Sequence, residues 1–351
     1  MKRRTFLKTA GGVAGTYALG ARPLFNAGAA GAASTSPALP RRVLGRTGEK
    51  ISIVGFPGLA LAYDDQQRCT TALHDAFDRG VNYFDVAPAY GQGDAEIKMG
   101  IGLQGIDRSR IFLACKTKMR DKDGARLELQ RSLQRLRTDH FDLYQMHHIR
   151  TPDEVKQALG PGGAMETFLK AKEEGKVRYL GFSAHTTKGA LEALNGYKFD
   201  TVMFPINFIE FFQISFGKAV LEKAQAQGTA VLAIKPMCGG AWPSGAEHER
   251  RWWYRPLEGD GQIDKALRFT LSQEGVVAAV PPSSLEMTAK AIEVATKYHP
   301  IGEEETAQLQ QIAQQRLSLF QRDEQRVAFG APTDAALYPD SPHECGRDAH
   351  A

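Results

Sequence analysis

Past residue 50 the chain alternates short apolar runs with amphipathic stretches of about 10–15 residues. The apolar runs predict strands at Ile51–Gly55, Val81–Phe84, Ile111–Cys115, Phe141–Gln145, Val177–Phe182, Thr201–Phe204, Ala230–Ile234 and Val276–Val280. Helical spacing falls near 67–79, 94–103, 124–137, 161–174, 187–194, 215–227, 263–273 and 285–298. Eight strands each followed by a helix predict an α/β chain folded as a single (β/α)8 TIM barrel. The rival is an open, doubly wound sheet, which carries a glycine-rich fingerprint after its first strand; Gly55-Phe-Pro-Gly58 is not one. Turn residues in Arg42–Gly48 suit an N-terminal hairpin on the barrel floor. A C-terminal helical extension is expected from Glu304–Phe320, followed by a Pro- and Asp-rich tail.

Composition changes this picture only at the N-terminus. The 351 residues are 42% hydrophobic and 24% charged, as in a soluble globular protein with a sizeable core. The formal charge of +4 is uneven, because Lys2, Arg3, Arg4, Lys8 and Arg22 stand in the first 34 residues without an acid. The remainder is nearly neutral, so no nucleic-acid partner is expected. Residues 1–34 read as a charged start, a weakly apolar run over Thr9–Ala21 and a small-residue cleavage zone. Arg3-Arg4-x-Phe-Leu-Lys resembles a twin-arginine signal peptide, which implies export machinery as a partner and a periplasmic or otherwise exported location. The apolar run is short for a membrane span. A linker (35–41), a barrel domain (42–320) and a C-terminal extension (321–351) are expected to follow. Cys69, Cys115, Cys238 and Cys345 lack the spacing of a zinc or iron–sulfur site. Cys115, inside an apolar strand, reads as a buried small hydrophobe.

In a barrel of this kind chemistry gathers where strands end at the C-terminal face. There the chain carries Asp85 with Tyr90 just beyond it, then Lys116, His147-His148 and Ser183-Ala-His185. Charged groups leaving apolar strands either pair or face a wet pocket. An ammonium beside a phenol favours the phenolate, and a carboxylate keeps the ammonium charged. Asp85, Lys116 and Tyr90 are therefore expected to form a proton donor with a lowered phenol pKa, while His147 orients a carbonyl oxygen. Such a set moves protons and needs a separate hydride carrier.

Five pieces in order then carry a resemblance: Leu44-Gly-Arg-Thr-Gly48, Gly80-Val-Asn-Tyr-Phe-Asp-Val-Ala-Pro-Ala-Tyr-Gly91, Lys116, Asp142-Leu-Tyr-Gln-Met-His147 and Gly175-Lys-Val-Arg-Tyr-Leu-Gly-Phe-Ser183. Over about residues 42–298 the chain resembles the aldo/keto reductases. The resemblance implies NADP or NAD as cofactor, no metal, and a carbonyl or alcohol substrate. It implies Tyr90 as general acid/base, Asp85 and Lys116 as its tuners and His147 as the carbonyl orienter. It puts Ser183 at the nicotinamide amide and Asn207 at a frequent asparagine of the sixth strand. The sequence departs from the family at Ala184, at Met203 in place of a glutamine, and at Ile234 in place of a stacking aromatic residue. Lys235 follows Ile234 and is a candidate for the pyrophosphate. After the eighth strand come Ser283 and Ser284, with Lys290 the nearest cation for a cofactor phosphate. That scarcity of cations argues against a strict NADP specialist.

The insertion at 241–260 centres on Arg250-Arg-Trp-Trp-Tyr-Arg-Pro256. Trp252, Trp253 and Tyr254 are expected to form a substrate lid whose aromatic faces suit a sugar or glycoside. Two other classes stay open. A metal-dependent isomerase or hydrolase would use His147, His148, His185 and Asp85, although adjacent strand histidines face opposite ways unless the strand bends. A catalytically silent ligand-binding barrel is the second. Export separates the protein from the pool where nicotinamide is reduced, so the cofactor is carried out bound or regenerated in place. One bound cofactor, reduced and reoxidised within a turnover, would give epimerisation or transfer between sugars.

Overall fold

The computed structural model describes residues 38–247 and 252–330. The expected export signal at 1–34, the first three residues of the linker (35–37), Arg250 and Arg251 of the lid, and Cys345 lie outside the described residues. A hairpin comes first: β1 (Arg41–Val43) and β2 (Lys50–Ser52) pair antiparallel with Arg42 opposite Ile51. Its Leu44 and Ile51 are fully buried and plug the barrel floor among Tyr83, Phe112 and Leu143. Arg42 locks the hairpin from outside, its guanidinium donating to the carbonyls of Leu271 and Val276 at 2.8 and 2.7 Å.

Eight parallel strands follow: β3 (Phe56–Pro57), β4 (Tyr83–Asp85), β5 (Phe112–Thr117), β6 (Phe141–Ile149), β7 (Val177–Ala184), β8 (Thr201–Pro205), β9 (Ala230–Ile234) and β10 (Val276–Val280). Each hydrogen-bonds to the next in chain order. Val54 bridges Ala279, with the Ala279 N–H donating to Ile53 and that of Gly55 to Ala279, which brings the first and last strands together. The expected α/β barrel is the fold observed. The run expected as one strand over Ile51–Gly55 is divided instead between the hairpin and the barrel wall. Ser52 is tied across to Asn82, whose side-chain oxygen accepts its N–H at 2.7 Å, before the chain joins the wall.

Helices on the outside are α1 (Gln66–Asp78), α2 (Asp94–Gly102), α3 (Lys122–Leu136), α4 (Pro152–Leu159), α5 (Ala164–Glu173), α6 (Thr187–Gly196), α7 (Phe208–Ile214), α8 (Lys218–Gln227), α9 (Asp260–Ser272) and α10 (Leu285–Thr296). Two of these, α4 and α7, were not expected. Each is short and set by its cap: Thr151 and Glu154 form a capping box, and Asn207 accepts from the N–H groups of Ile209 and Glu210. The helix expected over Glu304–Phe320 stops early as α11 (Glu303–Gln314), and α12 (Gln321–Ala328) follows. The turn between them is bound into the body: Ser318 Oγ and the Leu319 N–H donate to the buried Glu210 carboxylate at 2.5 and 2.6 Å. Asp323 of α12, fully buried, accepts from Arg150 at 3.1 Å. The start of the expected extension is thus part of the barrel's upper rim. Among the described residues no helix is long and apolar enough to cross a membrane.

Close packing of α2 on α3 depends on Gly100, where an added Cβ would sit 2.3 Å from the Arg135 carbonyl oxygen and 2.8 Å from Leu136 Cα. Backbone cannot yield as a side-chain tip can. We expect Gly100→Ala to lower stability by about 1–3 kcal/mol, read as a shifted urea midpoint at unchanged slope.

Candidate active site

Period-two alternation explains how the strands build the site. Tyr83 faces into the barrel, and so does Asp85; the same parity carries Phe112 and Ala114 to Lys116, and Leu143 and Gln145 to His147. Ser183, Met203, Ile234 and Val280 close the ring at the same level. Asp85, Tyr90, His147 and Ser183 line one cavity enclosing about 580 Å³ of free space, its open mouth included.

Lys116 is the hub. Fully buried, it donates to Asp85 Oδ2, to the Val86 carbonyl at 3.2 Å and to the Tyr90 hydroxyl at 3.3 Å. Asp85 Oδ1 accepts from Tyr83 OH at 3.3 Å and Gln145 Nε2 at 3.4 Å. Tyr90 opens a short 3₁₀ turn in which Gly91 adopts φ +57°, a hooked backbone that lets the phenol fold back toward β4. The His147 ring stands edge-on to Tyr90, centroids 5.6 Å apart at 88°. Its carbonyl is held from behind by Arg120 at 2.8 Å.

The electrostatics correct one expectation. Burial pushes Tyr90 above the ordinary tyrosine value, outweighing the downward pull of Lys116, while Asp85 adds to the rise. The phenol is a protonated donor at neutral pH, not a phenolate. Burial alone would depress Lys116, but Asp85 and Tyr90 outweigh it and hold the ammonium above the usual lysine value. Burial raises the Asp85 carboxyl, and Lys116 pulls it back down.

The expected cofactor residues divide. Ser183, Met203, Ile234, Lys235 and Ser283 line the cavity. Ser183 Oγ accepts the His148 N–H at 2.7 Å, leaving its own proton to donate. Asn207 is not a lining residue, because its carbonyl oxygen caps α7. Ser284 caps α10 through the Met287 N–H, also away from the cavity. Lys290 pairs with Asp260 at 3.0 Å and Glu286 at 3.7 Å on the outer surface of that helix. Of the lid residues, Trp253 and Tyr254 line the cavity; Trp252 is buried in the packing, its carbonyl accepting from Trp242 Nε1 at 2.8 Å.

β6 carries a bulge between Met146 and Ile149, with His148 at φ +62°. This bend turns His148 toward His185, centroids 4.5 Å apart, while His147 and His185 line the cavity. Among the described residues no three His, Cys, Asp or Glu side chains stand together as a metal ligand set. Cys69, Cys115 and Cys238 are buried free thiols. Sequence reasoning missed Tyr83 and Gln145, which share the inward parity of Asp85 and His147 and were legible from it. It also missed Phe320, which reaches the His185 ring at 6.0 Å and Trp253 at 6.2 Å from a distant part of the chain.

Removing Lys116 alone leaves the Asp85 carboxyl buried without its partner. We expect Lys116→Met to destabilise by about 3–5 kcal/mol in urea unfolding, with much of the loss recovered in Asp85→Asn/Lys116→Met.

Comparison with known proteins agrees with this geometry. The family model described as "Aldo/keto reductase family" matches residues 55–253. An uncharacterized oxidoreductase of Bacillus subtilis (strain 168), YqkF, is 31% identical over 156 residues, 41% of this chain and 48% of its own length. A 6-dehydroglucose reductase of Novosphingobium aromaticivorans is 30% identical over 222 residues, 57% of this chain and 69% of its own. This chain therefore spans from about half to two thirds of the length of these curated relatives. An aldo-keto reductase of Klebsiella pneumoniae, solved in complex with NADPH, superposes with a TM-score of 0.59 at 22% identity, covering 77% of this chain and 94% of that one. The barrel, the Asp85–Lys116–Tyr90 contacts and the matched family model together make this chain a divergent member of the aldo/keto reductase family.

Proposed function

We propose that the protein transfers hydride between a nicotinamide cofactor and a carbonyl or alcohol substrate, with Tyr90 as the proton donor or acceptor. The observation that carries this reading is the Tyr90 hydroxyl 3.3 Å from a Lys116 ammonium that is itself neutralised by Asp85. In the reducing direction the phenol gives its proton to the carbonyl oxygen as that oxygen gains charge, and Lys116 stabilises the phenolate left behind. His147, edge-on to the phenol, directs the oxygen toward it. A raised phenol pKa suits this direction, because the group is fully protonated at neutral pH.

The cavity fits a nicotinamide ring by its chemistry. Met203, Ile234 and Val280 offer an apolar wall, and the free hydroxyl proton of Ser183 is placed to donate to a carboxamide. When bound, such a dinucleotide supplies the hydride. Ser283 and Lys235 would face its more polar part. The Klebsiella relative's complex with NADPH supports the cofactor class. A sugar as substrate is supported by the relative named as a 6-dehydroglucose reductase and by Trp253 and Tyr254 in the wall. Among the described residues no ligand set supports a metal-dependent reaction. We expect Tyr90→Phe to slow NADPH- or NADH-dependent reduction of keto-sugars by about 100-fold or more, with dinucleotide binding by fluorescence changed less than about threefold. In the wild-type pH profile, the alkaline limb due to Tyr90 should lie above pH 10. Tyr90→Phe at near-normal rates would remove this mechanism, whereas ligand binding with no turnover in the wild type would favour a silent binding barrel.

We also propose that the protein is exported folded, on the strength of Arg3-Arg4-x-Phe-Leu-Lys. Replacing Arg3 and Arg4 together by lysine should leave the full-length chain in the cytoplasmic fraction, where the wild type appears in the periplasm. Equal periplasmic yields would refute it.

A further inference from the structure

Four cationic side chains are buried among the described residues. Lys116 is matched by Asp85, Arg150 by Asp323, and Arg268 by Asp264 and Glu305. Lys235 is the exception. It is 7% exposed at the end of β9, with no carboxylate of the described residues in ion-pair range, and its Nζ lies 3.1 Å from His185 Nε2. The faces of Trp253 and Phe320 stand 5.1 and 5.7 Å from the same nitrogen. Lys235 also holds φ +61°, a backbone conformation that a lysine does not favour, so the surrounding structure keeps the side chain on the cavity wall.

Among the described residues the groups around it offer no hidden counter-charge. His185, with His148 behind it, approaches from the end of β7. Cys238, Trp253 and Tyr254 come from the loop after β9, and burial pushes both the Cys238 thiol and the Tyr254 phenol up, so both are neutral. Glu210, behind Cys238, is held by Ser318 and Leu319. Across the cavity stand Tyr90, which is protonated, His147, and Asp85, which is spent on Lys116. Burial without a counter-charge pushes the Lys235 ammonium down to about 7. An arriving anion would supply what the protein withholds, and the amine would take up a proton as it binds.

We propose that Lys235 and His185 form a receptor for an oxyanion, a carboxylate or phosphate carried by the molecule that enters the cavity, and that filling it is coupled to proton uptake. This deepens the proposed oxidoreduction by assigning an acidic group to substrate or cofactor, and it rests on that reading only for the use of the cavity. Binding without turnover tests it. Isothermal titration of the full chain with inorganic pyrophosphate, D-glucuronate and D-glucose, in buffers of different ionisation heat, reads affinity and proton uptake together. The receptor predicts anion binding, with net proton uptake on glucuronate binding that is larger at pH 8 than at pH 6, and an affinity for glucuronate that falls severalfold as pH rises from 7 to 8. Glucuronate is the proton readout because its carboxylate does not titrate in this range and pyrophosphate does. Lys235→Met should abolish anion binding. Lys235→Arg should retain it while losing the pH dependence and the proton uptake, because a guanidinium does not titrate there. Pyrophosphate binding alone assigns the receptor to the dinucleotide, and glucuronate binding alone to the substrate; both support it. Binding of neither anion, glucose binding as tightly as glucuronate with pyrophosphate not binding, anion binding without proton uptake, or unchanged affinity in Lys235→Met would overturn it. Each of these outcomes is separate from the effect of Tyr90→Phe on turnover.

Discussion

A single ion pair inside the barrel organises this protein. Lys116 and Asp85 are both buried at the top layer of an interior otherwise filled by Tyr83, Phe112, Leu143, Met203 and Leu232. Two charges removed from water cost several kcal/mol each, and only close contact and further hydrogen bonds offset that cost. The structure supplies them: Tyr83 and Gln145 bind the carboxylate, while the Val86 carbonyl and Tyr90 bind the ammonium. Because the partners come from β4 and the turn beyond it, from β5 and from β6, register errors in any of these strands would break the set. The same contacts that make the pair tolerable hold the phenol in the cavity.

The two buried lysines of the cavity form a pair of opposites. Lys116 has its counter-charge built in and keeps a proton against burial; Lys235 has none and gives way to it. Both are buried, and their different neighbours and opposite directions of shift show that composition of the surroundings, more than depth, sets charge here.

Much of this was legible in the residues. Strand and helix alternation identified the barrel because eight buried parallel strands read as apolar runs and the helices between them as amphipathic ones. The convergence of Asp85, Lys116 and His147 followed from their place at strand ends. Boundaries were less legible where local chemistry decided them, as at Ser52, tied across to Asn82, and at the Asn207 cap that starts α7. The direction of the Tyr90 shift was misread because a neighbouring charge can be named from sequence while the depth of burial cannot. Asn207, Ser284 and Lys290 were assigned to the cofactor by resemblance, yet the Asn207 side-chain oxygen and the Ser284 hydroxyl cap helices and the Lys290 ammonium sits in a surface pair. Phe320 had no sequence signal, since its contact with the mouth depends on how the last helices return across the rim.

That return has a consequence for biosynthesis. Phe320, fully buried against Phe216 and beside His185 and Trp253, and the partners of Glu210 and Arg150 all come from residues 318–323. While the ribosome is still making that stretch, the eight strands can associate, but Leu319 has not reached Glu210 and Asp323 has not reached Arg150. The packing behind His185 and Trp253 is therefore completed only after all eight strands have been made, so the rim of the barrel closes later than its wall.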